Sequence, residues 1–543
     1  MGQLFLAAAF TAVLLTYGVY RRYSRVSLGR IPGPKSTSFL LGNLRELYQG
    51  QAGEADFKWQ ERYGNVVRYK GALGEDALMV SDPKALQYIY QTSGYHFPKL
   101  AERRVLSRML NGRGILWAEG EDHKRHRKVM LPGFGGPESK AFLMLFKGCA
   151  ESMTTKWMEI IGNSEGQSTI LNIPAWMSRA TLDAIGAAAF DYRFGSVQDQ
   201  DNALAHTYTN MMTDIFGSPS ATQLFIQAVS KYLPMSVLDY LSDHGTNRRL
   251  MRMRETSDTA KNVAKDMVKE KAEGLLEGKG SRDVFSLLVN ANMAEDAKTK
   301  LNEEELLSQM STILFAGHET TSNTVSWALL ELAKHPEIQT KLRSEIRATE
   351  AAIHARGQSD FTVADFEAMP YTTAVMKEVL RFHCVAYHSH RYAGRDDVLP
   401  LSRPIVTENG EVIHEVPIPK GTRIVASIAA YNRNKDLWGD DAHVFNPDRW
   451  LADAKGRKGS SIGVYGNLMT FLGGIRSCIG WRFAVIEIQA FLVEIISNFE
   501  FSVTDKTERI RREACLVMAP TVEGELEKGV QLPLRVSIAV RDE

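Results

Sequence analysis

A cysteine held in a glycine-framed loop at the mouth of an apolar helix restricts this chain more than any other feature. The loop reads Phe471-Leu-Gly-Gly-Ile-Arg-Ser-Cys-Ile-Gly480, and an apolar stretch from about Trp481 to Phe499 follows it. A cysteine there meets the positive end of the helix and its free backbone N–H groups, which favour the thiolate, the form that ligates metals. The glycines let the backbone turn tightly and let a flat group approach. Arg476 can pair with an anionic substituent on that group. A lone cysteine is usually core, yet the spacing F-x-x-G-x-R-x-C-x-G is met at all five specified positions. Cys149, Cys384 and Cys515 lack any such frame and read as small apolar residues. Four cysteines in 543 residues, without CxxC spacing, exclude a disulfide scaffold and make a structural zinc site unexpected.

A second segment is long enough to cross a whole domain. Asn302 can cap a helix whose first turn carries Glu303, Glu304 and Glu305, and His335-Pro336 stops it. Roughly thirty residues at ~1.5 Å each span about 45 Å. The segment is apolar on both sides of Ala316-Gly-His-Glu-Thr-Thr321, where a glycine, an acid and two hydroxyls interrupt it. Such residues weaken a buried helix, so the interruption predicts a site.

Together these segments resemble the cytochrome P-450 family of haem-thiolate monooxygenases. The resemblance implies that Cys478 is the proximal iron ligand, that Arg476 contacts a haem propionate, and that Phe471 and Gly474 belong to the cofactor loop. Glu378-Val-Leu-Arg381 matches the family's ExxR helix, and Phe445-Asn-Pro-Asp-Arg449 its later F-x-P-x-R segment. Glu and Arg at i,i+3 make an ordinary helical ion pair when taken alone. In this order before Cys478, they imply a buried network of Glu378, Arg381 and Arg449 that fixes the core behind the haem loop. The Ala316 to Thr321 stretch resembles the family's oxygen-binding sequence A/G-G-x-D/E-T-T, which makes Glu319 and Thr320 the catalytic pair. Activating dioxygen consumes protons, which Glu319 can relay from solvent and the Thr320 hydroxyl can help place. Gly317 is expected to leave room for the oxygen, and back-bonding to the helix is the alternative for Thr321 and Ser322. His318 is expected to be a neighbour rather than a ligand.

Trp117-Ala-Glu-Gly-Glu-Asp-His-Lys-Arg-His-Arg-Lys128 resembles the family's W-x-x-x-R helix, with His123 standing where the tryptophan usually is. Arg127 follows four residues later on the same face, and both can donate to a propionate. Lys124, Arg125 and Lys128 are expected to form an outward basic patch. Arg391 falls where the family often has another propionate-binding arginine. His383, His388 and His390 lie close by, but no nearby carboxylate or paired cysteine supports a metal site. The resemblance runs from Ile31 to Asp542 and ends in a Pro520-Thr-Val-Glu-Gly524 turn like the family's last substrate-contact loop.

Elsewhere the chain reads as mainly α with a minor β portion. Val66 to Tyr69 and Ala77 to Val80 predict a hairpin, Pro83 to Lys334 is mostly helical, and strand character returns at Arg423–Ile428 and Leu532–Val540. Arg248 to Lys279 reads as a solvated helix on a large enzyme, with a basic amphipathic helix for calmodulin or a membrane surface as the alternative. Met1 to Tyr20 carries no charge, and Arg21, Arg22, Arg25 and Arg30 follow it. About 20 apolar residues match the thickness of a bilayer core, and the arginines place the remainder in the cytosol. A cleaved secretory signal is the alternative, against which stands the lack of any Lys or Arg before the apolar run. The expected organisation is an anchor with its basic flank over 1–30 and one large catalytic domain of cytochrome P-450 fold over 31–543. Ile31-Pro-Gly-Pro-Lys35 is the stiff hinge between them.

Lys plus Arg number 65 against 64 Asp plus Glu, so the net charge of +1 offers no hold on nucleic acid. The resemblance implies haem b with an axial cysteine thiolate, and insertion of one oxygen atom into an apolar small molecule by hydroxylation or epoxidation. With no strand–GxGxxG–helix unit, electrons are expected from an NADPH-dependent flavoprotein reductase, with cytochrome b5 as a further partner. The pattern is similar to fungal microsomal members, which places the enzyme in the endoplasmic reticulum membrane as a single-pass protein. Oxidative tailoring of a terpenoid or other secondary metabolite is the expected service, and clearance of foreign aromatic hydrocarbons the alternative. A reductase-independent haem-thiolate isomerase or dehydratase and a non-enzymatic haem-binding protein also stay open, although the acid–threonine pair speaks against both.

Overall fold

Asn302 decides where the central helix begins. Its side chain accepts from Glu305 N at 2.9 Å, while Glu305 Oε2 accepts from Asn302 N at 3.0 Å. This reciprocal cap satisfies backbone donors that the first turn would otherwise leave open. The helix, Glu303–Lys334, then runs for 32 residues and ends before Pro336. The computed structural model describes residues 27–198, 202–276, 283–293, 295–296, 299–451 and 462–541. Among them, the helices Ile173–Phe190 and Trp481–Asn498 pack on the central helix, and Leu143–Gly162 packs on both of those.

Gly317 shows why the contact with Ile173–Phe190 can be close. A Cβ there would lie 2.6 Å from the Ile185 side chain of the neighbouring helix. The missing side chain thus suits the close approach of the two helices, and a larger residue would require the Ile185 side chain to move.

The hairpin is present as Val66–Lys70 and Asp76–Val80, antiparallel with Val66 opposite Val80. Distant strands extend it. Arg423–Ser427 pairs parallel to Asp76–Val80, and His388–Tyr392 closes the sheet antiparallel, with Arg391 opposite Ile424. In the stretch expected to be helical, Ser168–Asn172 forms a strand against the C-terminal strand Pro533–Ile538. Five residues bounded by turns carry too little periodicity to reveal that pairing.

Two other expectations change. Pro520 lies inside the strand Ala519–Val522, opposite Arg512, so the hairpin tip is Ala514 to Met518. Met518 N donates to Val385 O at 2.8 Å, which pins this tip to the chain just after the ExxR helix. Val522 is buried in the strand. The helix Arg248–Leu276 is not solvated on all sides: Met253, Thr256, Ser257, Ala260, Ala264 and Met267 form a buried face at helical spacing.

The Pro/Gly segment is docked. Arg68 N donates to Pro32 O at 3.0 Å, and a Cβ on Gly33 would sit 1.8 Å from Arg68 O. Leu28 and Ile31 are buried in the core, so the body already includes them. The expected anchor, Met1 to Tyr20, lies outside the described residues. Among the described residues, no helix is long and apolar enough to cross a membrane.

Candidate active site

The cysteine loop is closed by Cys478 N donating to Phe471 O at 2.8 Å. Gly474 adopts φ +64°, and a Cβ there would meet the Tyr90 carbonyl oxygen at 2.0 Å. The chain's own turn and close approach therefore demand a glycine here. Leu472, a non-glycine at φ +54°, is strained and costs about 1–3 kcal/mol, which the surrounding packing must hold. Cys478 emerges just ahead of Trp481–Asn498 and is exposed, whereas Cys384 and Cys515 are buried and Cys149 is half-buried. The surface it presents is internal. Burial pushes its thiol up, against the pull of the Gly480 N–H and the Arg127 guanidinium. A metal cation bound at the sulfur would draw the proton off.

Cations gather around this loop. Arg476 is almost fully buried; its Nη2 bonds Glu119, and its Nε and Nη1 have no partner. Arg391 is buried, spends Nη1 on His390 O at 2.7 Å, and stands near Arg476. Lys99 Nζ donates to the carbonyls of Ile115, Leu116 and Ala118 at 3.1, 2.7 and 2.9 Å. Burial holds its ammonium well below the usual range; Glu119 opposes that shift, and Arg476 and Arg391 add to it. Three cations thus surround one described carboxylate, Glu119. Buried guanidinium donors without partners cost stability unless an anion meets them. That imbalance, with the accessible sulfur of Cys478, fits a haem b carrying two propionates.

The helix Gly120–Met130 supplies the other candidates. His123 is buried, bonds Tyr95 Oη through Nδ1 at 2.9 Å, and is held neutral. Burial pushes its pKa down to about 3, helped by Arg476 and Lys99. Arg127 donates to Ser477 O at 2.8 Å and to Ser477 Oγ at 3.0 Å, so its guanidinium clamps the residue before the cysteine. The outward basic patch is smaller than expected. Arg125 turns onto Glu305 at 2.6 Å, and the exposed Lys124 and Lys128 each pair with an acid, Glu121 at 2.6 Å and Glu295 at 2.7 Å. Tyr95, Lys99 and Glu119 were not singled out from sequence, because only loop closure brings them to Arg476.

Behind the loop, Glu378 and Arg381 are wholly inaccessible. Glu378 Oε1 accepts from Arg381 Nη2 at 2.7 Å, Arg449 Nε at 3.1 Å and Asn446 N at 2.8 Å. Its Oε2 accepts from Arg381 Nε at 2.9 Å and Trp450 Nε1 at 2.9 Å. Arg381 also donates to the carbonyls of Asn432, Ala442 and Val444. Asp441, an acid the sequence reading did not include, completes the charge balance by accepting from Arg449 at 2.8 Å. The network ties the ExxR helix, Pro370–Phe382, to the segment that leads into the cysteine loop.

On the central helix, only Ala316, Gly317 and Thr320 keep accessible surface between Ser308 and Ala333. They fall at i, i+1 and i+4, so one face opens to the interior. Thr320 Oγ1 donates to Ala316 O at 2.8 Å. Thr321 does not bond back to its helix; it donates to Glu487 Oε2 at 3.0 Å. That bond joins the oxygen stretch to the helix that follows Cys478. Burial pushes the Glu487 carboxyl well above the ordinary range, so it is neutral. Glu319 is buried beside Asn323, and burial raises its pKa from 4.5 to about 7. A carboxyl that titrates near neutrality is suited to taking up and passing on protons.

The three histidines take separate partners, and two of those partners are carboxylates the sequence reading did not foresee. His383 bonds Glu331 at 2.7 Å, His388 bonds the buried Asp56 at 2.6 Å, and His390 bonds Tyr48 Oη at 2.9 Å. No metal-holding cluster of His, Cys, Asp or Glu occurs among the described residues.

An accessible cysteine sulfur, with buried cations beside it awaiting an acidic ring substituent, marks the haem-thiolate class. Comparison with known proteins agrees. The family profile described as cytochrome P-450 matches residues 32–527. Cytochrome P-450 monooxygenase 205 of Postia placenta is 34% identical over 525 residues, covering 94% of this chain and 92% of the relative. Cytochrome P-450 monooxygenase claP of Ampulloclitocybe clavipes is 32% identical over 537 residues, covering 96% of each. The chain belongs to the cytochrome P-450 family and is a haem-dependent monooxygenase.

Proposed function

We propose that this monooxygenase inserts one oxygen atom from dioxygen into a largely apolar molecule, as a tailoring step on a terpenoid or other secondary metabolite. The observation that carries this reading is the open face of the central helix: two small apolar residues and one hydroxyl, Ala316, Gly317 and Thr320, with Ile313, Leu314 and Phe315 buried next to them. None of these offers a counter-charge, and burying an unpaired ionic substrate there would cost several kcal/mol, on the order of the penalty for an uncompensated charge. His388 spends its Nε2 on Asp56 at 2.6 Å, which leaves its Nδ1 as the ring nitrogen without a partner.

Haem held through a cysteine thiolate would supply the redox chemistry of oxygen insertion. Cys478 would be the residue that ligates its iron. Arg476 and Arg391 would hold the propionates, with His123 and Arg127 beside them, and Phe471 and Gly474 would shape the loop. Glu319 holds a proton close to neutral pH, and the Thr320 hydroxyl, now on Ala316 O, can turn to donate into the open face. Electrons would come from NADPH through a flavoprotein reductase, with cytochrome b5 as a second donor. Lys124 and Lys128 remain exposed on that side, although their paired acids weaken any steering.

Membrane attachment rests on Met1 to Tyr20 and the arginines after it, which suit a single-pass anchor in the endoplasmic reticulum with a cytosolic catalytic domain. The test is a mass-spectrometric screen of a terpene and polyaromatic panel with haem-loaded protein, reductase and NADPH. Oxygenated products from apolar members support the reading. Conversion without NADPH, or haem spectral shifts only with charged, water-soluble acids or amines, would contradict it.

A further inference from the structure

His318 is the least explained side chain in the oxygen stretch. It is fully buried, and its Nδ1 lies 3.1 Å from Leu314 O, an atom that only accepts. Nδ1 therefore carries the proton, and Nε2 presents a lone pair. Nε2 is buried and has no hydrogen-bond partner; the atom facing it is Glu319 Oε1 at 3.7 Å. The ring lies tilted against Tyr208, with centroids 4.5 Å apart and planes at 34°, and Thr181 Oγ1 donates to the His318 main-chain carbonyl at 3.1 Å.

The acid's own contacts say which oxygen bears its proton. Asn323 Nδ2 donates to the Glu319 main-chain carbonyl at 2.8 Å, which fixes the orientation of the amide. The same Nδ2 donates to Glu319 Oε2 at 3.0 Å. Oε2 is then the carbonyl-type oxygen of the protonated acid, and the hydroxyl is Oε1, the oxygen nearest His318 Nε2. A gap of 3.7 Å is too long for a hydrogen bond, but the terminal carboxyl torsion is soft and a modest turn shortens it. Besides His318, the ionisable neighbours of Glu319 are Tyr208 and Cys515, and burial keeps both neutral. Neither supplies a competing charge.

We propose that His318 is a positioning residue whose Nε2 accepts the hydrogen bond from Glu319 Oε1–H, holding the acid protonated and in a defined orientation next to Thr320. The hydrogen bond gives the buried lone pair its missing donor and gives the carboxyl hydroxyl its missing acceptor. It also explains why an imidazole sits in the middle of a buried helix, where it makes no side-chain link to the rest of the charge network.

Infrared difference spectroscopy on haem-loaded protein tests this without turnover, so its failure is separable from failure of the monooxygenase reading. The protonated carboxyl band of Glu319 is assigned by its loss in Glu319→Gln. His318→Phe keeps a ring against Tyr208 but removes the acceptor; His318→Gln keeps an acceptor without the ring. The proposal expects the band to move to higher wavenumber in the Phe variant and to stay near the parent position in the Gln variant. Product formed per NADPH should fall severalfold in the first and be largely retained in the second. An unmoved band in His318→Phe overturns the proposal, as does a Gln variant whose band moves to the non-donating position. Each variant decides the matter alone if the other fails to fold.

Discussion

Glu319→Gln should make the protein more stable and less effective, and the size of the gain depends on pH. Burial raises the carboxyl from 4.5 to about 7, so the folded state holds a proton that the unfolded state has released. The contribution is fully favourable below pH 4.5 and is lost as pH rises through about 7. The shift of about 2.5 units corresponds to roughly 3 kcal/mol at about 1.36 kcal/mol per unit. Between pH 5.5 and pH 8 the loss is about 2 kcal/mol. Glutamine cannot ionise and keeps an acceptor for the Asn323 amide, so the variant escapes this loss. Urea unfolding of haem-loaded parent and variant at the two pH values measures it: the stability difference should grow by about 2 kcal/mol in favour of glutamine. Product per NADPH should drop at the same time, because the proton source is gone. A stability difference that stays flat with pH would refute the burial argument, whatever happens to activity.

Thr320→Ala should retain haem and substrate binding while diverting NADPH to hydrogen peroxide, read as the ratio of product to peroxide; an unchanged ratio removes the hydroxyl from the mechanism. Glu378→Gln places an amide donor against Arg381 and Trp450, or against Arg381, Arg449 and Asn446. Breaking a buried ion pair on one side costs about 3–5 kcal/mol, so folded yield and haem content should fall sharply; a urea midpoint equal to the parent's would show the network to be dispensable. Deleting Met1 to Tyr20 should release folded, haem-loaded protein from membranes, since the buried Leu28 and Ile31 remain. A variant still wholly in the membrane pellet at high salt would require a second insertion surface.

What could be read from sequence depended on how local each signal was. The cap at Asn302, the stop at Pro336 and the hairpin strands are fixed by neighbours in the chain, and they stand where the residues put them. The charge network was legible as two short motifs, but Trp450, Asn446 and Asp441 join it only through the path of the intervening chain. Glycines carry more than one cause: Gly317 and Gly474 look like clearance for a cofactor or oxygen, and Ile185 and the Tyr90 carbonyl also approach them. Sequence spacing cannot distinguish those causes, because the approaching atoms come from distant segments. The helix end beside Cys478 is local and visible in the sequence, whereas the burial that opposes it is tertiary. Lys99 and Tyr95 carried no motif, and Glu119 lay unremarked in the Trp117 to Lys128 stretch, yet they surround Arg476 and define the imbalance of charge that an acidic cofactor would correct.

The central claim is that Cys478 alone ligates haem iron, and the reduced carbon monoxide difference spectrum tests it most directly. Parent protein, Cys478→Ser and Cys384→Ser should be compared at equal protein concentration. The thiolate-type band should be present in the parent and in Cys384→Ser, whose parent thiol is buried and pushed up to about 12, and absent from Cys478→Ser. A thiolate band that survives in Cys478→Ser and disappears in Cys384→Ser would contradict the account.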